Sequence, residues 1–249
     1  MYNIKTMSKP KYKIVPTKLT KEVNKKLDHQ IDSTDEAFPT RREWIIAVVG
    51  RKGSGKTSLI VNLLSSSFFR KKYDNIILIS PSHRDEKLKP LIEELTADGK
   101  FYDRLTNDNL IEIMNNINEY NDEFKEKHKG KIPKNLLLID DSLADLPLSS
   151  QKQSAFNKLM TNHRHAHTSI ILSTQKFKSL NTIARNNLDG LIAFRTSNQG
   201  EIDSMCDEFG IDEELYLNAT EEPHSFLFTH FFNNNKKSYF LNFDRLIPL

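Results

Sequence analysis

The chain has 249 residues, of which 37% are hydrophobic and 28% are charged, so it can bury the core of one domain and is not an intrinsically disordered chain. Cys206 is the single cysteine, which excludes a disulfide framework and a cysteine-based zinc cluster and favours a reducing compartment. No apolar run approaches the ~18 residues that a membrane span needs. The first 13 residues contain no apolar stretch typical of a signal peptide, so we expect a soluble intracellular protein without a membrane span.

The net charge of +3 is distributed unevenly along the chain. Residues 1–26 contain eight lysines and one glutamate, which give this segment a net charge of +7, while the remainder carries −4. Residues 1–40 also contain three prolines and lack apolar periodicity, apart from one short helix expected near residues 18–30. We interpret residues 1–40 as a basic N-terminal arm or linker, which either contacts a polyanion or is a solvated tail.

Short apolar runs alternate with longer amphipathic segments from Trp44 onwards. The runs are rich in Ile, Leu or Val and apolar on both faces, which is typical of parallel strands covered by helices. The predicted strands are Ile45–Val49, Ile76–Ile79, Leu136–Ile139, Ile170–Leu172 and Leu191–Phe194, and the predicted helices are 55–66, 86–97, 107–127, 151–165 and 199–209. Two further runs, Ser225–Phe232 and Ser238–Phe243, flank a polar turn and predict a C-terminal β-hairpin. Residues 41–249 are thus predicted to form one α/β domain.

A phosphate-binding loop is predicted between the first strand and the first helix. The segment Gly50-Arg51-Lys52-Gly53-Ser54-Gly55-Lys56-Thr57 matches the pattern G-x-x-x-x-G-K-[ST] of a Walker A motif. Glycines allow the backbone to curl so that its N–H groups face phosphate oxygens, and the helix N-terminus adds the positive end of its dipole. We expect residues 50–58, up to Ser58, to bind a nucleotide, with Lys56 at the β- and γ-phosphates and the Thr57 hydroxyl on Mg²⁺.

Polar residues at the ends of two later strands complete the predicted site. Asp140 and Asp141 follow Leu136–Ile139, as in a Walker B motif, so we expect Asp140 to hold Mg²⁺, directly or through a water, and Asp141 to deprotonate the attacking water. Gln175 ends the next strand and is expected to sense the γ-phosphate or to position water. The segment 157–160 contains Asn-Lys without the aspartate of a guanine-recognition motif, so ATP is favoured over GTP. Residues 41–249 are therefore predicted to be a P-loop ATPase domain.

The order of motifs after residue 160 resembles that of the FtsK–HerA superfamily of DNA-pumping ATPases. Arg164 is followed by Ser169–Gln175, Ile183–Leu188, Gly190–Ser197 and Glu201–Ser204. The short chain and the string Asn162-His163-Arg164-His165 are most similar to the genome-packaging ATPases of poxviruses, giant viruses and virophages, over roughly residues 44–205. The resemblance implies a RecA-like sheet in which the Gln175 strand lies between the P-loop strand and the Asp140 strand. It also implies a homo-oligomeric ring, a hexamer or a pentamer, with ATP bound between subunits.

Within such a ring, the resemblance implies that Arg164 is an arginine finger that reaches a neighbour's γ-phosphate, with Arg185 as a second candidate. The alternative for either arginine is a helix-end salt bridge or a contact with a phosphate backbone. Many relatives carry glutamate where this chain has Asp141. The shorter side chain leaves Glu43 or a water relay as further candidates for the general base.

The predicted function is an ATP-driven double-stranded DNA translocase that packages a viral genome. A translocase grips the DNA backbone, for which Lys176, Lys178, Arg70–Lys72 and the basic arm are candidates, while Phe177 is either a lever against DNA or a core residue. Expected partners are double-stranded DNA and capsid or portal components, at the virus assembly site in the host cell cytoplasm or in the virion. The alternatives are a small nucleoside or nucleotide kinase and a nucleotide-binding virion scaffold protein.

Overall fold

The computed structural model describes residues 43–65, 72–81, 86–146, 154–233, 236–243 and 245–247, which form a nine-stranded sheet flanked by helices. Its strands are β1 (Ile45–Val49), β2 (Asn75–Ile79), β3 (Phe101–Tyr102), β4 (Asn135–Asp140), β5 (Thr168–Thr174), β6 (Gly190–Phe194), β7 (Phe226–Asn233), β8 (Lys236–Leu241) and β9 (Arg245–Ile247). The helices of the described residues are α1 (Lys56–Ser65), α2 (Lys89–Ala97), α3 (Asn107–Lys127), α4 (Ser154–Asn162), α5 (Thr182–Asn186), α6 (Gln199–Phe209) and α7 (Glu213–Ala219), with 3-10 turns at Leu143–Asp145 and Phe177–Ser179.

The sheet has the order β3-β2-β4-β5-β1-β6-β7-β8-β9. The pairs from β3 to β6 are parallel, and the pairs from β6 to β9 are antiparallel. The predicted fold, a mostly parallel sheet with a C-terminal hairpin, is therefore confirmed. The strand that leads to Gln175 lies between the P-loop strand and the Asp140 strand, as the resemblance implies.

The central strands are buried on both faces because helices cover both sides of the sheet. Along β1, Ile45, Ala47 and Val49 pack into one core cluster with side chains of α3, α4, α6 and α7, whereas Ile46 and Val48 pack into a second cluster with α1 and α2. Alternation of side chains along a strand produces this division. Continuous apolar runs are the sequence pattern that such double burial requires.

Predicted and observed helix bounds agree best where capping residues mark the ends. α3 and α6 have the predicted bounds; Thr106 caps α3 and Asn198 caps α6 through side-chain oxygens that accept backbone N–H groups, and Gly210 ends α6 in a left-handed conformation. α4 ends at Asn162, three residues before the predicted end, because residues 163–167 form a turn in which His167 has φ +51°. The predicted helix at 18–30 and the basic residues 70–71 lie outside the described residues.

Candidate nucleotide-binding site

The predicted phosphate loop lies at the edge of the sheet where the parallel strands end, here called the carboxyl edge. β1 ends at Val49, and the N–H of Gly50 donates to the carbonyl oxygen of Thr174 at the end of β5 (3.1 Å). A side chain at Gly50 would place its Cβ 2.5 Å from Ser54 Oγ and 2.7 Å from Phe194 Cβ. The tight curl of the loop therefore requires glycine at this position.

Two further glycines shape the loop into an anion-binding cradle. Gly53 and Gly55 have φ values of +79° and +111°, in the left-handed region that favours glycine. α1 starts immediately afterwards, so its N-terminal N–H groups and the positive end of its dipole are directed at the loop. Arg51 and Lys52 are exposed on the same loop. Backbone N–H groups and positive charge together suit the phosphates of a nucleotide.

Lys56 connects the phosphate loop with the acidic end of β4. Its Nζ donates to the carbonyl oxygen of Gly50 (2.8 Å) and lies 3.7 Å from Asp141 Oδ2. The side chain is only 5% exposed, so the ammonium group is shielded from bulk water. Electrostatic attraction to an anionic ligand is stronger in such a shielded position than at the surface.

Asp140, the last residue of β4, has the environment of a metal ligand. Its Oδ2 accepts a hydrogen bond from Ser80 Oγ (3.3 Å), whereas Oδ1 is buried and has no hydrogen-bond partner among the described residues. Burial raises the pKa of Asp140 and the charge of Asp141 raises it further, whereas the nearby hydroxyl of Ser173, the Lys56 ammonium and the Ser80 hydroxyl act in the opposite direction. A buried carboxylate oxygen without a partner, together with the hydroxyl of Thr57, suits the hard-oxygen preference of Mg²⁺, so these residues fit that ion.

Asp141 and Gln175 meet at the carboxyl edge because β5 lies beside β4. Gln175 Nε2 donates to Asp141 Oδ2 (3.4 Å). Asp141 has φ +46°, a conformation that aspartate tolerates better than most residues, and its N–H donates to the carbonyl oxygen of Ser173 (3.0 Å). The structure thus brings Lys56 within ion-pair distance, and Gln175 within hydrogen-bond distance, of the same Asp141 oxygen.

Arg164 lies at the opposite edge of the sheet, where the parallel strands begin, here called the amino edge. It belongs to the turn before β5, and its Nη2 lies 3.1 Å from Asp189 Oδ1, while Asp189 Oδ2 accepts the N–H of Ile45 (3.0 Å). The seven residues of β5 separate this turn from the phosphate loop, a distance of about 20 Å. Arg164, which is 54% exposed, cannot reach the phosphate loop of its own subunit. Its role as a finger toward a neighbour stays a prediction.

Arg185 and Glu43 both contact other residues of their own chain. Arg185 donates to Glu208 (2.9 Å) and to the carbonyl oxygen of Leu180 (2.9 Å). Glu43 precedes β1 at the amino edge, where its carboxylate lies 3.4 Å from His167 Nδ1. Glu43 therefore cannot act as the general base on a nucleotide bound in its own subunit.

Two exposed lysines flank a buried phenylalanine just beyond Gln175. Phe177, in the 3-10 turn, is fully buried and contacts the ring of Phe209 edge-on, with ring centroids 5.5 Å apart. The structure thus assigns Phe177 to the core rather than to a surface lever. Lys176 and Lys178 are exposed on either side of it at the carboxyl edge.

Three residues that sequence reasoning missed also contact the site. Ser80 directly follows β2 at the carboxyl edge, so the strand-end reasoning that located Asp140 would have found it. Lys87 Nζ donates to Ser58 Oγ in the first turn of α1 (2.9 Å). His224 Nδ1 lies 3.0 Å from the carbonyl oxygen of Ser54. Neither Lys87 nor His224 belongs to a sequence motif that we recognised.

The fold is that of the P-loop ATPases: a mostly parallel sheet flanked by helices, with the Walker A sequence after β1 and an acidic pair at the end of β4. The chain belongs to the family described as Poxvirus A32 protein, whose model matches residues 38–217. The resemblance seen in the sequence is therefore confirmed. No helix in the parts of the chain that the structure describes is long and apolar enough to cross a membrane.

Individual relatives are distant in sequence. Protein 075L of Invertebrate iridescent virus 6 is 25% identical over 175 residues, which cover 70% of this chain but less than two thirds (63%) of that protein. The genome packaging NTPase B204 from Sulfolobus turreted icosahedral virus 2, in complex with AMP, has a TM-score of 0.56 at 20% identity, over 79% of this chain and 96% of B204. The pCW3 conjugation coupling protein TcpA with ATPγS has a TM-score of 0.52 at 12% identity, over 79% of this chain and 59% of TcpA. These similarities show a shared fold.

Proposed function

We propose that this protein is an ATP-driven double-stranded DNA translocase that packages a viral genome into a capsid and hydrolyses ATP at the interfaces of a subunit ring. The observation that carries the proposal is the convergence of Lys56, Asp140, Asp141 and Gln175 on the carboxyl edge. Membership of the Poxvirus A32 family and the fold shared with a genome packaging NTPase support the packaging role. Capsid or portal components at the virus assembly site would be its partners.

The phosphate loop and Lys56 bind the triphosphate. Backbone N–H groups of the loop and of the first turn of α1 donate to phosphate oxygens, and the Lys56 ammonium neutralises charge on the β- and γ-phosphates. Thr57 and Asp140 would hold Mg²⁺, which when bound neutralises the phosphate oxygens on which charge develops. The buried Asp140 Oδ1, without a partner among the described residues, supports this assignment.

Asp141 and Gln175 act on the attacking water. The Asp141 carboxylate accepts the proton of the water, and Gln175 holds that carboxylate in place through the 3.4 Å hydrogen bond to Oδ2. Lys56, 3.7 Å from the same oxygen, places the carboxylate beside the phosphate that the lysine binds. When the γ-phosphate leaves, Gln175 loses its contact with that phosphate. Lys176 and Lys178 come directly after Gln175 in the chain, so a shift at the end of β5 moves these lysines as well.

Arg164 completes the proposed site from a neighbouring subunit. Its guanidinium is half-exposed at the amino edge and is oriented by Asp189, so it is available to another subunit. An arginine supplied in trans to the γ-phosphate accelerates hydrolysis by 10³–10⁵-fold in other P-loop enzymes.

The test is phosphate release by the full chain with Mg²⁺-ATP, with and without double-stranded DNA. We expect DNA-stimulated release, loss of nucleotide binding in Lys56→Ala, and a rate reduced roughly 10²–10⁴-fold with binding retained in Asp141→Asn. Lys158→Ala, an exposed lysine on α4, is the matched control. Phosphate transfer to nucleosides would instead support a kinase, and ATP binding without hydrolysis under every DNA condition would support a scaffold protein.

A further inference from the structure

A histidine beyond the family-matched segment contacts the phosphate loop. The family match ends at residue 217, yet His224 Nδ1 lies 3.0 Å from the carbonyl oxygen of Ser54, 170 residues earlier in the chain. Because a carbonyl oxygen only accepts hydrogen bonds, Nδ1 is the donor and carries the ring proton. This contact joins the segment before β7 to the centre of the Walker A motif.

The position of His224 is set by its own turn rather than by the loop. His224 has φ +64°, and the next residue, Ser225, donates to the carbonyl oxygen of Glu222 through both its N–H (3.1 Å) and its Oγ (2.7 Å). Phe226 then begins β7 and pairs with Phe194 at the end of β6. The hydrogen-bonded turn and the start of β7 thus position the backbone of His224 beside the phosphate loop before any nucleotide binds.

The contact restrains the part of the phosphate loop that lies between two glycines, Gly53 and Gly55. The peptide between Ser54 and Gly55 is planar, so fixing the Ser54 carbonyl also fixes the direction of the Gly55 N–H. Gly55, with φ +111°, has no side chain to limit its rotation, and a Cβ at this position would lie 3.4 Å from His224 Nδ1 and 3.5 Å from Phe194 Cε1. These two rings therefore support the loop from the side of β6 and β7.

We propose that His224 is a positioning residue of the nucleotide site, which holds the Ser54–Gly55 peptide in the orientation that binds the phosphates of a nucleoside triphosphate. The inference rests on the proposed function, because it assumes that the loop binds a triphosphate. It extends the nucleotide site past the family-matched segment into the turn before β7. Without His224 the phosphate loop becomes ordered only when the nucleotide binds, and the free-energy cost of this ordering lowers nucleotide affinity. The rate of the chemical step is unchanged.

Three substitutions at His224 distinguish the effect of the hydrogen bond to the Ser54 carbonyl on nucleotide affinity from a general effect of removing the imidazole ring. His224→Gly removes the ring and suits the positive φ. His224→Asn places an amide donor near the position of Nδ1 and tolerates the left-handed backbone, whereas His224→Gln places its donor one bond further, near Nε2. Glu221→Gln, an exposed residue of the same turn, is the matched control. Isothermal titration with a non-hydrolysable ATP analogue gives Kd, and steady-state ATPase assays of the full chain give KM and kcat.

We expect His224→Gly to raise Kd and KM about three- to tenfold, as the loss of one hydrogen bond implies, with kcat little changed. His224→Asn should recover most of the affinity, His224→Gln should not, and Glu221→Gln should match the wild type. Unchanged affinity in His224→Gly, or equal rescue by Asn and Gln, would overturn the role of His224. A wild-type protein that does not bind the analogue would reject the proposed function itself.

Discussion

Asp140 combines a cost in stability with its proposed role as a Mg²⁺ ligand. Its carboxylate is buried, one oxygen has no hydrogen-bond partner among the described residues, and burial raises its pKa. An acid whose pKa is higher in the folded than in the unfolded state stabilises the fold at low pH, and this contribution is lost as the pH rises through the folded-state pKa. Ionisation of Asp140 thus destabilises the nucleotide-free fold, at a position where the charge suits a cation.

This linkage predicts the behaviour of Asp140→Asn, in which the side chain no longer ionises. In metal-free buffer, the Tm of the variant minus that of the wild type should increase as the pH is raised from about 4 to about 7, because only the wild type loses stability by ionising. Differential scanning fluorimetry across this range measures the change. Asp145→Asn, an exposed acid five residues later, is the control. A difference that does not vary with pH would contradict the prediction.

At the scale of secondary structure elements, strands with long apolar runs were predictable from the sequence, and very short elements were not. The five parallel strands with continuous apolar runs were found because burial on both faces leaves an unambiguous pattern. β3 and β9 have two and three residues, and α5 and α7 have five and seven, which is too short for a periodic pattern to develop.

The candidate site was predictable to the extent that it lies at strand ends. Asp140, Asp141 and Gln175 follow apolar strands, so the parallel topology brings them to one edge of the sheet. His224 comes from an irregular turn after α7, and only tertiary structure brings it to the loop. Arg164 was identified from a family resemblance, and its distance from its own phosphate loop follows from strand direction.

A comparison of Gly53 with Gly99 separates the effect of backbone strain on stability from the effect of the phosphate loop on nucleotide binding. Both glycines have positive φ values, +79° and +68°, and a Cβ at either position would meet no atom within 4 Å. Gly53→Ala and Gly99→Ala should therefore each cost about 1–2 kcal/mol of stability, measured by urea denaturation, because alanine disfavours the left-handed region. Only Gly53→Ala should weaken nucleotide binding, since Gly99 lies after α2 and outside the phosphate loop. Equal nucleotide affinity in both variants would count against the loop as the phosphate site.

At the scale of the whole molecule, the proposed ring predicts complementation between two inactive variants. A subunit with Arg164→Ala keeps its own phosphate loop, and a subunit with Lys56→Ala keeps its arginine. In a randomly mixed ring, some intact phosphate loops of Arg164→Ala subunits face the intact arginine of a Lys56→Ala subunit. An equal mixture should thus regain up to about a quarter of wild-type ATPase activity, whereas each variant alone stays inactive, because the contact between subunits is head-to-tail.

The control for this mixture is Arg164→Ala alone. Asp189 is buried and loses its ion pair in this variant, while the hydrogen bond from the Ile45 N–H remains, so we expect a folded protein with a reduced Tm, which is measured in parallel. Nucleotide binding by this variant should remain close to that of the wild type. Absence of complementation, or full activity of the wild type at concentrations where native mass spectrometry detects only monomers, would exclude a finger supplied by a neighbour.

The burial of Phe177 has a consequence for how force would pass from ATP to DNA. Its ring anchors the short turn after Gln175 in the core, so Lys176 and Lys178 cannot swing independently of the strand that precedes them. A displacement of that strand end would carry both ammonium groups together. Under the proposed function, each subunit would bind and release two phosphates of the duplex together.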